Sequence, residues 1–71
     1  MREGDLQRRL GENLRAHRHR LGFSQEAFAD HIGIHRTYMG GLERGERNVT
    51  LRTVERIAAK VGVDAVKLLS K

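Results

Sequence analysis

The sequence predicts an all-α fold, a compact bundle of five short helices packed around one core. Three observations carry that expectation. Four helix starts set a capping position between two apolar residues, glycines stand where helices should end, and no stretch alternates apolar and polar residues as a half-buried strand does. In the first helix Leu6, Leu10 and Leu14 fall at i, i+4 and i+8, with Leu21 one heptad after Leu14. One inward face is therefore predicted from roughly residue 5 to residue 20, before Gly22. The second helix, about residues 25–32, opens on Ser24 between Phe23 and Phe28, the spacing of a hydrophobic staple around an N-cap. Phe28 and Ile32 form its inward pair, and it stops at Gly33, a residue suited to a left-handed C′ position. The third, about residues 36–44, has Ile34 and Met39 in the same relation around His35, a poorer capping side chain. Thr50 between Val49 and Val54 starts the fourth near residue 51, whose inner face reads Leu51, Val54, Ile57, Ala58 and Val61 up to Gly62. Asp64 between Val63 and Leu68 starts the fifth near residue 65.

Seventy-one residues that are 38% hydrophobic can build one small core, so residues 1–71 are expected to form a single domain. Cysteine and proline are both absent, which excludes disulfide staples and thiolate metal sites and leaves helix packing to hold the fold. No apolar run approaches the roughly 20 residues that span a bilayer, and Arg2 to Leu10 is too charged to be the apolar part of a secretion signal. A soluble, cytoplasmic protein is the expectation. Only Gly33, Ile34 and His35 separate the second helix from the third, and two helices joined by such a glycine-containing turn constitute a helix-turn-helix arrangement.

Lys and Arg number 14 against 9 Asp and Glu, a net charge of +5. The excess is uneven: residues 1–35 hold six basic and five acidic side chains, residues 36–71 eight and four. A basic surplus gathered in one half favours a polyanionic partner, nucleic acid or an acidic membrane surface. At about 100° per residue, Tyr38, Met39 and Leu42 share one side of the third helix, whereas Arg36, Thr37, Gly40, Gly41 and Arg44 share the other. Each glycine costs about 1 kcal/mol relative to alanine inside a helix. On an exposed face, the pair is expected to leave the backbone bare for close approach to another surface. Arg36 and Thr37 occupy the first turn, the part of a recognition helix that reaches base edges in the major groove. Arginine can donate two hydrogen bonds to a guanine, and threonine offers a hydroxyl or a methyl contact. Arg44, Arg47 and Asn48, at the helix end and in the loop behind it, suit phosphate contacts.

Taken together, Ser24-Gln25-Glu26, the run from Gly33 to Tyr38, and Leu42-Glu43-Arg44-Gly45 followed by Asn48 resemble the phage-repressor/Cro helix-turn-helix family, also called the xenobiotic-response-element (XRE) family of bacterial regulators. The resemblance covers roughly residues 6–69 and implies a lambda-repressor-like fold. The Arg-Thr-Tyr run and the Glu-Arg-Gly-Glu-Arg-Asn loop are most similar to the small controller proteins of restriction-modification systems. By this resemblance Gln25 binds a DNA phosphate at the start of the second helix, where backbone amides also favour an anion. Arg36 and Thr37 take the base-reading positions, Tyr38 touches the sugar-phosphate backbone, and Arg47 and Asn48 grip phosphates. On the wheel, Tyr38 lies at the edge of the inner face, so partial burial fits it equally well. Arg18 and Glu43 match a pair that family members use as an internal salt bridge. Gly41 departs from the pattern, because the family often has a base-reading side chain there. His17 stands where an aliphatic residue is usual.

The four histidines offer no ligand set, since His17 and His19 point apart and His31 and His35 straddle the turn, neither pair with a third ligand at fixed spacing. No nucleophile, base and orienting group assemble either. The expectation is therefore no enzyme, no metal, no cofactor and no small-molecule substrate. What remains is a sequence-specific, double-stranded-DNA-binding transcriptional regulator such as a repressor, with no membrane partner. A single module makes few base contacts, at roughly 1 to 3 kcal/mol of discrimination each, too little to select a genomic site. A homodimer on a pseudo-palindromic operator is expected, and Val66 and Leu69, at the edge of a wide apolar arc on the fifth helix, are its candidate contacts. The alternative is an antitoxin or co-regulator module whose main contact is a partner protein. A separate ligand-sensing domain is not expected at this length.

Overall fold

Capping side chains set the helix boundaries. In the structure, a computed structural model that describes residues 1–71, Ser24 Oγ accepts the Ala27 amide, Thr50 Oγ1 the Thr53 amide and Asp64 Oδ1 the Val66 amide. His35, a poor capping residue by type, does the same through Nδ1, which accepts the Thr37 amide at 3.2 Å. Each cap pairs an amide that the helix itself leaves without a partner, and is worth about 1 kcal/mol. These caps open α2 (Gln25–Ile32), α3 (Arg36–Glu43), α4 (Leu51–Val61) and α5 (Ala65–Leu68), which follow α1 (Asp5–Leu21). Arg44 serves as the C-cap of α3 and is not part of the helix. No residue adopts a strand conformation. The staple at the head of α2 brings the Phe23 and Phe28 ring centroids to 5.7 Å, and His31 stacks on Phe23 at 4.8 Å.

All five helices contribute to one apolar core of 11 residues. Leu10, Leu14, Phe28, Ile32, Met39, Leu42 and Leu68 are fully enclosed. Each contributes about 1.5 to 3 kcal/mol by leaving water, against the conformational entropy of ordering the chain. Three leucines that periodicity turned inward face out instead: Leu6 is 40% exposed, Leu21 53% and Leu51 74%. The inner face of α1 continues from Leu10 and Leu14 to Arg18 at the same spacing, so the apolar core ends before Leu21. Leu51 is the first residue of α4 and overhangs the core's edge. With Leu6, Leu10, Val49, Val54 and Leu69 it lines an apolar groove of about 130 Å³.

The backbones of α1 and α3 meet closely at a residue the sequence patterns did not single out. A Cβ on Gly11 would stand 2.4 Å from the Leu42 carbonyl oxygen and 2.7 Å from that of Glu43. The backbone of α1 therefore rests on the last turn of α3. Two residues on, Asn13 Nδ2 donates to the carbonyls of Lys67, Leu68 and Ser70 at 3.2, 2.8 and 2.7 Å. One amide group thus ties the end of the short α5 to the first helix. Because the atoms that would meet a Gly11 side chain are backbone, Gly11→Ala is expected to cost about 1 to 3 kcal/mol. Chemical denaturation checks this as a lowered midpoint with little change in slope. Leu21→Ala, on the open side of the same helix, should stay within about 0.5 kcal/mol.

Candidate nucleic-acid interface

The C-terminal end of α3 is held by polar ties as well as by the core. Arg18 Nε donates to Glu43 Oε2 at 2.7 Å and Arg18 Nη2 to Oε1 at 3.0 Å, a two-pronged pair joining α1 to α3. The side chains are 12% and 5% exposed. Arg18 Nη1 also donates to the Phe23 carbonyl at 3.1 Å, and Gln25 Nε2 donates to Glu43 Oε1 at 3.1 Å. One carboxylate thereby gathers α1, α2 and α3. Gln25, assigned to a phosphate by resemblance, is half-buried and spends an amide hydrogen on Glu43 here, which fixes it at the edge of the surface.

Outward from that anchor, Gln25, Glu26, Arg36, Thr37, Gly40 and Arg44 line a concavity of about 270 Å³ without a single apolar side chain. Four of the sequence-predicted binding residues meet there. Arg36 and Arg44 do not stand alone: Arg36 Nη1 is 3.3 Å from Glu26 Oε1, and Arg44 Nε donates to Glu46 Oε1 at 3.0 Å. Sequence reasoning missed both carboxylates. Glu26 and Arg36 lie on different helices, so no local spacing pairs them. Exposed pairs of this kind are worth at most about 1 kcal/mol and open readily for another partner.

Tyr38 and Arg47 form a second group. Tyr38 is half-buried against the core, and the Arg47 guanidinium carbon lies 5.4 Å from its ring centroid, within cation–π range. Asn48 stands apart, its side-chain oxygen accepting from Gln7 Nε2 at 3.2 Å, so the loop is tied back to α1. The two glycines of α3 are buried rather than bare. A Cβ on Gly41 would lie 2.6 Å from Arg47 Nε and 2.9 Å from its Cγ, and one on Gly40 would lie 3.1 Å from Arg44 Nη1. A helical wheel gives the direction of a residue from the axis, and it does not show a long side chain from the following turn lying back across it. The glycines are beds for two arginines, whose flexible ends can lift away.

His17 is half-buried on α1, with Nδ1 accepting from the Arg20 guanidinium. Burial, and then the charge of Arg20, hold its pKa below the ordinary imidazole value. No three His, Cys, Asp or Glu side chains gather as a metal site.

Residues 9–69 match the family described as a helix-turn-helix domain. The chain belongs to the helix-turn-helix domain family. It is 43% identical over 67 residues to the control protein C.SmaI of Serratia marcescens, an alignment covering 94% of this chain and 80% of that protein. The crystal structure of the hypothetical transcription factor NHTF from Neisseria is similar to it with a TM-score of 0.84 and 40% identity, over 99% of this chain and 80% of that one. For the restriction-modification controller protein C.AhdI from Aeromonas hydrophila the values are 0.75 and 37%, over 87% and 94%. Its relatives are regulators and control proteins, and this helix-turn-helix chain is a DNA-binding regulator of the XRE type, not an enzyme. No helix is long and apolar enough to cross a membrane.

The tie between Arg18 and Glu43 has a measurable consequence. Arg18→Met leaves an enclosed carboxylate without its cation and should destabilise the fold by about 3 to 5 kcal/mol. Replacing both partners, with Glu43→Leu added, should recover much of that loss, because no charge is then stranded. Equilibrium denaturation of the two variants beside the parent reads the difference directly.

Proposed function

We propose that this chain is a sequence-specific, double-stranded-DNA-binding transcriptional regulator that works as a homodimer on a pseudo-palindromic operator, as a single helix-turn-helix domain over residues 1–71 and in the cytoplasm. The observation that carries the reading is the wholly polar concavity at the front of α3, where Arg36, Thr37, Gln25 and Arg44 converge. In this reading α3 enters the major groove and α2 lies across the backbone. Arg36 and Thr37 read base edges, Gln25 and Arg44 hold phosphates beside them, and Tyr38, Arg47 and Asn48 grip the backbone from the α3–α4 side. The names of its relatives, control proteins of restriction-modification systems among them, support regulation as the biological role.

The dimer rests on apolar residues left exposed on α1, α4 and α5. Val66 is 69% exposed and Leu51 74%, and Leu69 is half-buried at the mouth of the apolar groove that Leu6 and Leu51 border. Apolar residues left open on so small a chain are best satisfied by a second copy, with Val66 and Leu69 meeting across a two-fold axis. Such a dimer would set the two recognition helices about 34 Å apart, one turn of duplex.

Two measurements test the proposal. In a salt titration on selected and random duplexes, Arg36→Ala should cost about 1 to 3 kcal/mol and relax preference at one base position, whereas Arg47→Ala should weaken all sequences alike and flatten the salt slope by about one unit. If both variants lose affinity uniformly, base reading by Arg36 is wrong. In sedimentation at micromolar protein, the parent should run as a dimer and Val66→Asp as a monomer. A parent that stays monomeric with and without operator would remove the homodimer.

A further inference from the structure

Two cations converge on a concavity that the interface described above leaves unused. A cavity of about 190 Å³ lies where the α2–α3 turn meets α4, lined in part by Tyr38, Thr53, Arg56 and Lys60. Lys60 folds back over the turn: a Cβ on Gly33 would lie 2.8 Å from its Nζ. Arg52, Arg56 and Lys60 follow one another at i, i+4 and i+8 along α4, and none has a carboxylate at ion-pair distance. Like charges one turn apart destabilise a helix by a few tenths of a kcal/mol per pair, so this row works against the element that carries it. Arg36 and Arg44, by contrast, each hold a glutamate. Around the helix-turn-helix, the cations without a carboxylate partner are therefore Arg47, which lies along the Tyr38 ring, and this row on α4, beside a residue of α3.

We infer that Arg56 and Lys60 form a phosphate site whose occupant is a backbone phosphodiester of the duplex that α3 engages; this rests on the DNA-binding reading above. Tyr38 belongs to both surfaces, so the site continues the recognition face rather than standing apart from it. Both cations are exposed and flexible, a poor cage for a free anion in a salt solution. A duplex already held by α3 presents its phosphates at high effective concentration, and weak cations then suffice. Tyr38 and Thr53 border the same space, and both are residue types whose hydroxyls contact phosphate oxygens.

The test compares three chains on a random-sequence duplex long enough to extend past α3 on both sides, with affinity measured across a range of salt. Each neutralised phosphate contributes about 0.9 to the slope of log affinity against log salt. Arg56→Ala/Lys60→Ala should lose affinity severalfold and flatten the slope by about one unit. Lys67→Ala/Lys71→Ala removes the same two charges from beside Asn13 and His17, and should leave the slope near that of the parent. All four substituted residues are exposed, and thermal melting of both variants confirms that the fold is kept. An unchanged slope in the first variant, or an equal loss in the second, would overturn the site. If instead inorganic phosphate raises the parent's melting temperature at constant ionic strength, the first variant loses that rise and the DNA slope does not move, the phosphodiester is the wrong occupant. A parent that shows no salt-dependent binding to DNA would sink the DNA reading and the inference together, whereas a binding parent matched by its α4 variant would sink the inference alone.

Discussion

Glu43 is the point on which the proposed recognition surface depends. Its carboxylate accepts from Arg18 twice and from Gln25 once, so the last turn of α3, the last turn of α1 and the first residue of α2 share one set of hydrogen bonds. Beneath it, the backbone of α1 meets α3 through Gly11 with no side chain between them. A buried ion pair of this kind adds little net stability compared with apolar residues of the same shape, because desolvating both charges consumes most of the attraction. Its value is geometric: a two-pronged guanidinium–carboxylate pair tolerates little rotation or sliding. In the proposed reading of bases by α3, the contacting groups must be placed within a fraction of an ångström, and the helix is too short, at eight residues, to fix its own orientation.

The rest of the fold works at the same economy. A chain of 71 residues with 11 core side chains has a small apolar reserve, and α2, α3 and α5 are each too short to be stable alone. What holds them is the combination of a cap, a staple across the cap and a few enclosed side chains. Ser24 with Phe23 and Phe28 does this for α2, and Asp64 with Val63 and Leu68 for α5. Asn13 then pairs the carbonyls at the end of α5, which four residues of helix could not satisfy themselves. No enclosed side-chain nitrogen or oxygen is left without a partner.

This pattern explains which features were legible in the sequence. Caps and staples are local, and their spacing is visible in four or five residues, so the all-α fold and the helix starts could be read directly. His35 shows the limit of judging a cap by residue type, since an imidazole nitrogen with a free lone pair accepts an amide as a hydroxyl does. Periodicity failed where the core ends. Leu21 and Leu51 have the right phase, but each lies past the neighbour that would have covered it. Gly11 could not be read because its reason is 31 residues away, at Leu42. On α3 the positions of Arg36 and Thr37 were legible, whereas the arginines lying over Gly40 and Gly41, and the partner of Arg36, depend on rotamers and on contacts between helices.

Those contacts bear on how a small basic domain can read sequence at all. Every arginine near a duplex is drawn to the closest phosphate, and an arginine held by phosphate carries no sequence information. In this surface Arg36 and Arg44 face carboxylates, while Arg47 lies along an aromatic ring and Arg52, Arg56 and Lys60 face solvent. A carboxylate beside Arg36 repels phosphate and lowers the local attraction for the backbone, and in the proposed complex it would yield to a guanine edge that offers two acceptors in the guanidinium's own plane. The unpaired cations meet no such repulsion. Charge pairing therefore gives the cations different roles. In the proposed DNA complex, Arg36 beside Glu26 is the cation biased toward bases, and the free cations supply the salt-dependent hold on the backbone.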